Sequence, residues 1–368
     1  MRNKKISTVL LCLAVGVIGL MILCIAMMGR EEKKERIIVG FIMSGGVEET
    51  GWNGMHYDGI KQACEDMDAE LLVKEYVEEF TGQCPQAIDE LVAEGADLII
   101  LSSYGYSEEA VDKVKEYPDV AFYANSSEYH EENLTSYFVR MYQARYLAGM
   151  LAGMKTESGY VGYVAAMANN EVNRGISAFT LGVRRTNPDA KVVVAWTGDW
   201  DNEAVETKLA NALIQEKSVD VLAYHQNLPH VVKAAEAAGV YSIGYHEAVE
   251  GCSKQYLTTV ACNWNVVYQE LIREYMRGNE NQVRNYWIGM ETGAVVLTEY
   301  SAEVSEEEAA ELEKVRDEIL TGQDVFAGLI YDTEGNVRCE SGAIIADEIL
   351  LEQFDWYVKG VEFYEEVE

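Results

Sequence analysis

From residue 36 onward, short runs of aliphatic residues alternate with longer stretches in which apolar residues recur every three or four positions. The short runs predict buried strands, and the longer stretches predict amphipathic helices. This alternation is typical of a parallel sheet with crossover helices. The first series predicts the strands RIIVGFIM, ELLVKEYV, DLIILSS, VAFYANS and TSYFV, with helices over residues 54–68, 83–94 and 107–117.

The same order of elements starts again near residue 160. The second series predicts the strands YVGYVAAM, KVVVAW, VDVLAYHQ and VYSIGYH, with helices over residues 172–186, 202–216 and 229–238. A nearly constant offset of about 120 residues between matching positions predicts two copies of one doubly wound α/β lobe. The matching positions are Gly40 and Gly162, Asp97 and Asp220, and Asp68-Ala69 and Asp189-Ala190.

Two such lobes predict where a ligand binds. Open α/β sheets bind ligands beyond the carboxyl ends of their strands, so facing lobes place the ligand in the cleft between them. Between the two series, the stretch MYQARYLAGMLAGM predicts a helix, which we interpret as the end of the first lobe. Its small residues predict close packing against a neighbour: Ala144, Ala148, Gly149, Ala152 and Gly153.

The residues at the predicted strand ends are rich in flat rings and amides. Trp52, Trp196, Trp200 and Trp264 are four of the six tryptophans, and stacking on a planar ligand contributes about 0.5–1.5 kcal/mol per ring pair. His56 shares a helix face with Trp52. Amide groups offer the donor and acceptor that a nucleobase edge requires, although they are also common in turns. The polar candidates are Asn53, Ser102, Tyr104, Asn125, Arg140, Asn170, Asn202 and Asn227.

Catalytic motifs are not found in this sequence. No GxSxG, P-loop or GxGxxG follows a predicted strand, and His225, His230 and His246 lack the spacing of a zinc-binding helix. Glu171 with Asp199 or Glu247 could be nominated as a glycosidase pair, but an acidic protein offers many such pairs. We therefore expect no enzymatic activity, no cofactor and no metal site.

The N-terminus predicts a membrane segment. Arg2, Lys4 and Lys5 precede the uncharged residues 6–28, which as a helix would be about 35 Å long and could cross a bilayer. The basic flank is expected to stay inside, which places the rest of the chain outside. The alternative is a cleaved or lipidated signal peptide, with Cys24 as the lipidated residue and Leu23 where a small residue is usual.

Net charge and cysteine content limit the kinds of binding partner and metal site that the chain can have. The chain has 29 basic and 62 acidic residues, a net charge of −33, so it repels phosphate backbones and nucleic acid is excluded as a partner. Five cysteines lie beyond the apolar segment at spacings that fit no zinc pattern. A Cys64–Cys84 or Cys252–Cys262 bridge and a fully reduced protein both remain compatible with the sequence.

Long stretches of the chain resemble the basic membrane protein family. They are YFVRMYQARYLAGMLAG, YVGYVAAM, EVNRGISAFTLGVRRTNP, GVYSIGY and the ending FAGLIYDTEGNVRCESGAIIADEILLEQFDWYVKGV, within residues 37–361. Members are substrate-binding lipoproteins of ABC transporters, and characterised ones bind purine nucleosides or nucleobases. The resemblance implies a type I periplasmic-binding-protein fold, with two lobes joined by a three-strand hinge around the ligand cleft.

The resemblance also implies site residues. It places a base against Trp52, with Asn53 and His56 in the same loop. Three positions depart from the family pattern, and they leave open whether the ligand is a base or a nucleoside: His246 stands where the family has aspartate, Asn227 ends HQN in place of HTD, and Cys262 stands where tryptophan is frequent. The second-lobe contacts that the resemblance implies are Glu171, Trp196 to Trp200, His225, Asn263 and Trp264.

The expected organisation follows from the fold that the resemblance implies. Residues 1–36 form the anchor or signal segment, residues 37–157 and 263–280 form lobe one, and residues 158–262 and 284–368 form lobe two with a C-terminal extension. The lobe crossings are expected near residues 155–159, 256–263 and 279–286. We expect a protein anchored in the cell membrane that captures a purine for an ABC permease. The alternative is a receptor ectodomain that signals to a kinase or chemoreceptor, because the anchor resembles a true transmembrane helix.

Overall fold

The two predicted series of strands form two separate sheets in the computed structural model, which describes residues 36–278 and 285–365. The chain divides into two compact units, Met1–Ile37 and Ile38–Glu368, and both sheets lie in the second. The predicted membrane segment 6–28 and Cys24 lie outside the described residues. Among the helices within the described ranges, none is both long and apolar enough to cross a bilayer.

The first sheet has six parallel strands, because each strand returns to the same edge through a crossover. Their order is β11-β5-β4-β3-β1-β2, and β3 and β4 are buried along their whole length. The strands are β1 (Ile38–Ile42), β2 (Glu70–Lys74), β3 (Leu98–Leu101), β4 (Ala121–Asn125), β5 (Leu134–Val139) and β11 (Asn285–Ile288).

The second sheet has seven strands in the order β12-β10-β9-β8-β6-β7-β15. All neighbours are parallel except β10 and β12, which are antiparallel. The strands are β6 (Tyr160–Ala165), β7 (Lys191–Trp196), β8 (Val221–His225), β9 (Tyr241–His246), β10 (Tyr256–Cys262), β12 (Val295–Leu297) and β15 (Val361–Phe363). The central order β9-β8-β6-β7 matches β4-β3-β1-β2 of the first sheet, as the internal repeat predicts.

The crossover helices lie close to their predicted positions. In the first lobe they are α1 (Gly51–Asp66), α2 (Gln83–Ala93) and the short α3 (Tyr106–Ala110). In the second lobe they are α5 (Asn170–Thr186), α6 (Glu203–Lys217) and α7 (His230–Ala238). The helix expected over residues 107–117 is instead split into α3 and a 3₁₀ turn, Val114–Glu116.

Two of the three crossings between the lobes lie at other positions than expected. The long helix α4 (Met141–Lys155) packs along α5 and beside β10 of the second lobe, so the chain crosses at Arg140 and not near residues 155–159. The second crossing lies at Asn263, before α8 (Trp264–Met276), which packs on α1. Since β11 pairs with β5, the third crossing follows residue 288 and not residues 279–286. Among the described residues, lobe one therefore comprises residues 38–139, 263–278 and 285–288.

The contact between α4 and α5 depends on glycine. A Cβ atom at Gly149 would lie 2.0 Å from the carbonyl oxygen of Phe179, and one at Gly182 would lie 2.0 Å from that of Tyr146. Backbone therefore meets backbone without an intervening side chain. The small-residue stripe of α4 packs closely, as its sequence predicts, but its neighbour belongs to lobe two.

The C-terminal extension covers the second lobe. Phe354 and Trp356 stack with ring centroids 4.2 Å apart, and Asn173 of α5 donates to the carbonyl oxygen of Phe354 at 3.1 Å. The extension thereby reaches the edge of the interlobe cleft. Its remaining elements are α9 (Glu306–Leu320), β13 (Ile330–Tyr331), β14 (Val337–Cys339) and α10 (Asp347–Glu352).

The five cysteines of the described residues form no disulfide bond with one another. Cys64, Cys84, Cys262 and Cys339 are buried, and Cys252 is partly exposed. Neither of the bridges considered from the sequence, Cys64–Cys84 and Cys252–Cys262, is formed.

Candidate functional site

Three aromatic rings of lobe one stack where the lobes meet. His56 lies four residues after Trp52 on α1, so the two rings share a helix face, and their centroids are 4.1 Å apart. The other side of His56 faces Trp264, the first residue of α8, at 3.7 Å. Tyr268 fixes the imidazole through a hydrogen bond to Nδ1. The expected partner of the Trp52 ring is a ligand, whereas the structure places His56 against it.

Lobe two contributes a second group of rings at the ends of β8 and β9. His246 lies in the left-handed region with φ +67°, which turns its ring towards Trp52 at a centroid distance of 5.1 Å. Tyr245 contacts His246 at 3.8 Å and shares a 3.0 Å hydrogen bond with His225 Nε2. His225 Nε2 in turn lies 3.4 Å from Glu171 Oε1. These contacts connect Trp52 with the start of α5.

The first turn of α1 is bound to both lobes. The backbone N–H of Trp52 donates to Asn227 Oδ1 of lobe two at 2.9 Å. Its indole Nε1 donates to the carbonyl oxygen of Ser102, at the end of β3 in lobe one, at 3.1 Å. Asn227 is held in turn, because its N–H donates to the carbonyl oxygen of Trp200 at 2.9 Å. The lobes are therefore in contact at the carboxyl ends of their strands.

A pocket opens between the lobes beside these contacts. Two partly exposed rings line it, Tyr104 after β3 of lobe one and Trp200 after β7 of lobe two. The remaining lining is almost entirely polar. It consists of Ser126, Ser127, Glu128, Ser136 and Asn285 from lobe one, and Asn169, Asn170, Glu171, Arg174, Leu351 and Glu352 from lobe two.

Several buried polar atoms at the strand ends lack a hydrogen-bond partner among the described residues. Buried donors and acceptors are nearly always paired, and each unpaired one costs about 1–3 kcal/mol. Their concentration along one boundary marks a place where a polar ligand would complete the hydrogen bonding. The atoms are His56 Nε2, Ser102 Oγ, Asn125 Nδ2, His225 Nδ1, His246 Nδ1 and Trp264 Nε1.

Burial determines which side chains at this boundary carry a charge. It lowers the pKa of His56, His225 and His246 below the ordinary histidine value, although Glu171 partly opposes the shift at His225. The imidazoles are therefore neutral at pH 7 and act as a paired donor and acceptor. Burial also lowers the pKa of Arg174 to about 10, so this guanidinium stays charged at neutral pH.

The structure gathers most of the candidate residues at the interlobe boundary. Asn53 is buried at the start of α1, where it hydrogen-bonds Ser44 and Glu49. Asn170 Nδ2 lies 3.5 Å from Glu128 Oε1 of the other lobe. Those whose side chains lie at the boundary or line the pocket are Trp52, Asn53, His56, Ser102, Tyr104, Asn125, Asn170, Glu171, Trp200, His225, Asn227, His246 and Trp264.

Four candidates are engaged elsewhere. Arg140 pairs with Asp347 and lies over the ring of Trp287 at 4.2 Å, so it fastens the first crossing to the C-terminal extension. Trp196 faces Tyr357 of the same extension, with ring centroids 6.4 Å apart. Asn263 marks the second crossing, where its N–H donates to the carbonyl oxygen of Ala294 at 2.8 Å. Asn202 caps α6 by accepting from the Val205 N–H, as its turn role predicts.

Some lining residues escaped the sequence reasoning. Glu128 and Ser127 follow β4 closely enough to be reached by the strand-end rule, but the candidate list stopped at Asn125. Leu351 and Glu352 come from α10, far along the chain. No local pattern connects α10 with the cleft, because its position depends on packing against α5.

Comparison with known families identifies a match over most of the chain. The family model described as Bmp, ABC transporter substrate-binding protein PnrA-like, matches residues 37–325. A putative ABC transporter glucose-binding protein from Haloferax volcanii is 32% identical over 91% of this chain and 82% of its own length. A purine-binding protein from Brucella abortus is 27% identical over 91% of this chain and 95% of its own length.

Solved structures share the architecture. A transcriptional activator of the comK gene from Bacillus halodurans superposes with a TM-score of 0.69 at 25% identity, covering 78% of this chain and 99% of that one. A solute-binding protein of an ABC transporter system from Conexibacter woesei gives a TM-score of 0.63 at 21% identity, covering 78% and 97%. The predicted type I periplasmic-binding-protein fold is confirmed.

Proposed function

Because the chain belongs to the PnrA-like family of ABC transporter substrate-binding proteins, we propose that it captures a purine nucleobase or nucleoside in the pocket between its lobes. We also propose that its N-terminal segment anchors it to the cell membrane. The resemblance to the basic membrane protein family is confirmed by this membership. Proteins of this family act outside the cytoplasm, bind a small molecule and present it to a permease. They are not enzymes, which confirms the prediction that this chain is not one.

The observation that carries the purine proposal is that each lobe contributes one exposed aromatic ring to the lining of the pocket. Tyr104 belongs to lobe one and Trp200 to lobe two, and both are partly exposed to the pocket. A planar base between them would bury both of its faces when the lobes close, and stacking prefers such parallel or offset geometries. A ligand bound in this way would stabilise the closed arrangement, because it contacts both lobes at once.

The polar lining fits the edge of a base. Asn170 supplies an amide donor and acceptor, and Asn169 supplies an amide donor, since its Oδ1 accepts from the Val172 N–H at 2.9 Å. Glu128 and Glu171 accept hydrogen bonds from amino groups or ribose hydroxyls. Since only Arg174 offers positive charge and its guanidinium already donates to the carbonyl oxygen of Leu350, a phosphate group would meet carboxylates and neutral imidazoles. The lining therefore favours a base or nucleoside over a nucleotide.

A sugar is the second candidate. The Haloferax volcanii relative, at 32% identity, is named as a putative glucose-binding protein, whereas the purine-binding relative is 27% identical. Carboxylates and amides also bind sugar hydroxyls, and a tryptophan face such as that of Trp200 packs against a pyranose ring. A pyranose gains less than a purine from two aromatic rings, because it has no π-system of its own.

Calorimetry on the full-length protein in detergent tests the proposal. The titrated ligands are adenine, adenosine, guanosine, inosine, adenosine monophosphate, glucose and ribose. We expect saturable one-to-one binding of a base or nucleoside, at least tenfold tighter than that of the monophosphate. Heat with glucose alone would overturn the purine proposal and support the second candidate. Heat with the monophosphate at equal or higher affinity would overturn the argument from charge.

A further inference from the structure

A second cluster of titratable side chains, none of which lines the pocket, lies at the N-terminal ends of α6 and α7. One carboxylate oxygen each of Asp201 and Glu206 and one ring nitrogen of His230 lie within 4.8 Å of one another. Asp201 belongs to the loop after β7, Glu206 lies on the first turns of α6, and His230 opens α7. The fold thus brings together three groups from two different crossover units.

Two members of the cluster are buried with unpartnered polar atoms. Glu206 is fully buried. Its Oε1 accepts from the Asn202 N–H at 3.0 Å, whereas Oε2 has no hydrogen-bond partner among the described residues. His230 is 6% exposed, and its Nδ1 likewise has no hydrogen-bond partner there. A buried carboxylate oxygen without a partner is costly unless a cation or a proton compensates it.

One distance within the cluster matches that between two ligands of one metal ion, and the other ligand atoms lie within 4.8 Å. His230 Nε2 lies 3.5 Å from Asp201 Oδ1, and two ligands of a tetrahedral zinc site are about 3.4 Å apart when each bond is about 2.1 Å. On the other side of the ring, Glu203 Oε1 lies 3.7 Å from Nδ1. A carboxylate at that position commonly orients a metal-bound imidazole. Asp201 is about half exposed, so its side chain is free to close the wider separations.

We propose that Asp201, Glu206 and His230 form a binding site for one divalent cation of the zinc type. One imidazole nitrogen with two carboxylate oxygens is a ligand set that Zn²⁺ accepts. Ca²⁺ and Mg²⁺ are held by oxygen ligands and would leave the imidazole unused. Three protein ligands leave the fourth position of the ion to water, since the Asp201 side faces solvent.

The bound ion would join two loops that meet at the cleft. Asp201 directly follows Trp200, and His230 lies three residues after Asn227. These loops already share the hydrogen bond from the Asn227 N–H to the carbonyl oxygen of Trp200. Because the three ligands converge only in the folded chain, the ion would bind the native state preferentially and stabilise it. This inference does not depend on which small molecule occupies the pocket.

Zinc titration tests the site directly. Full-length protein in detergent is treated with a chelator, desalted and titrated with ZnCl₂ against a competing zinc dye. We expect one saturable site per chain. Glu206→Gln, His230→Ala and Asp201→Asn should each weaken zinc binding at least tenfold. Zinc should raise the melting temperature of the wild-type protein and leave that of the Glu206→Gln protein unchanged.

The control variant is Glu250→Gln, which removes an exposed carboxylate of the same lobe outside the cluster and should bind zinc like the wild type. Asp201→Asn guards against misfolding, because Asp201 is largely exposed and its loss leaves the core intact. The proposal is overturned if zinc binds without saturation, or if Asp201→Asn and Glu206→Gln bind it like the wild type. Tighter binding of Ca²⁺ or Mg²⁺ than of zinc would overturn the choice of ion.

Discussion

Trp196 and Trp200 lie four residues apart, yet their rings contact different parts of lobe two. Trp200 lines the interlobe pocket and lies with its ring centroid 6.0 Å from that of His225. Trp196, the last residue of β7, faces Tyr357 of the C-terminal extension. The strand ends at Trp196, and the turn after it carries Trp200 over the carboxyl edge of the sheet. The two tryptophans are therefore a matched pair for testing where the ligand binds.

We predict that Trp200→Ala weakens binding of the purine ligand at least tenfold, about 1.4 kcal/mol, because one of the two aromatic rings that line the pocket is lost. Trp196→Ala should change affinity less than twofold, since its ring lies against the extension. Calorimetry on both variants, with circular dichroism to confirm folding, measures the difference. Equal losses in the two variants would contradict the proposed position of the ligand.

The sequence correctly predicted candidate residues whose position depends only on the end of a strand. It did not predict the position of residues that also contact a distant part of the chain. The strand-end rule selected Trp52, His56 and His246, and all three meet at the boundary between the lobes. It also selected Arg140, whose salt bridge to Asp347 connects positions far apart in sequence. Nothing near Arg140 in the chain reveals that partner. The Asp201, Glu206 and His230 cluster was not considered for the same reason: the metal patterns tested were cysteine spacings and histidine spacing along one helix, whereas these three groups converge only through the fold.

At the scale of elements, the contact between α4 and α5 decides which lobe α4 joins. In the sequence α4 directly follows β5, which favoured lobe one. The small residues correctly predicted close packing, but local periodicity does not say which helix is the neighbour. The structure supplies that neighbour through Gly149 and Gly182, where backbone contacts leave no room for a side chain. The strands β1 to β9 were predicted well because their apolar pattern is local, whereas β10, β11, β12 and β15 were not among the predicted strands.

Gly182→Ala should destabilise the protein by about 1–3 kcal/mol, the usual cost of overpacking, because its Cβ would lie 2.0 Å from the Tyr146 carbonyl oxygen. Gly175→Ala, on the same helix, is the control. Its Cβ would approach no atom closer than 3.8 Å, and alanine favours helix over glycine by up to about 1 kcal/mol. In urea unfolding, the midpoint of Gly182→Ala should therefore be lower than that of the wild type, and the midpoint of Gly175→Ala should be higher. An equal loss of stability in the two variants would contradict this account.

At the scale of the whole molecule, few hydrogen bonds hold the lobes together on the pocket side. The one from the Trp52 N–H to Asn227 Oδ1 joins the first loop of lobe one to the second sheet. Asn170 Nδ2 approaches Glu128 Oε1 at the longer distance of 3.5 Å. Each of these hydrogen bonds contributes only about 0.5–1.5 kcal/mol. Closure of the lobes is therefore sensitive to single substitutions.

Asn227→Ala should therefore shift the ligand-free protein towards an open arrangement. We expect a larger radius of gyration in small-angle X-ray scattering and roughly three- to tenfold weaker ligand binding, since closure contributes to affinity. Asn265→Ala is the control, because Asn265 contacts Asp66 within lobe one. An unchanged radius for Asn227→Ala, or an equal increase for the control, would show that this hydrogen bond does not govern closure.

The buried histidines predict how the whole molecule responds to acid. The pKa of His56, His225 and His246 is lowered in the folded state, so below about pH 6.5 the unfolded chain binds protons that the folded protein does not. Stability is then fully present above pH 6.5 and falls by about 1.4 kcal/mol per pH unit for each group until its folded pKa is reached. Burial raises the pKa of Glu206 to about 7. Its proton uptake in the folded state therefore offsets the loss of stability caused by one of the three histidines.

The net prediction is a loss of roughly 2–3 kcal/mol per pH unit just below pH 6.5, measured by urea unfolding between pH 7.5 and pH 5. His246→Asn should reduce this slope by about 1.4 kcal/mol per pH unit, because asparagine tolerates the left-handed backbone at this position and does not titrate. If the slope stays the same in His246→Asn, the acid response does not come from the histidines at the lobe boundary. If stability depends on pH only below pH 5, the acid response comes from the carboxylates instead.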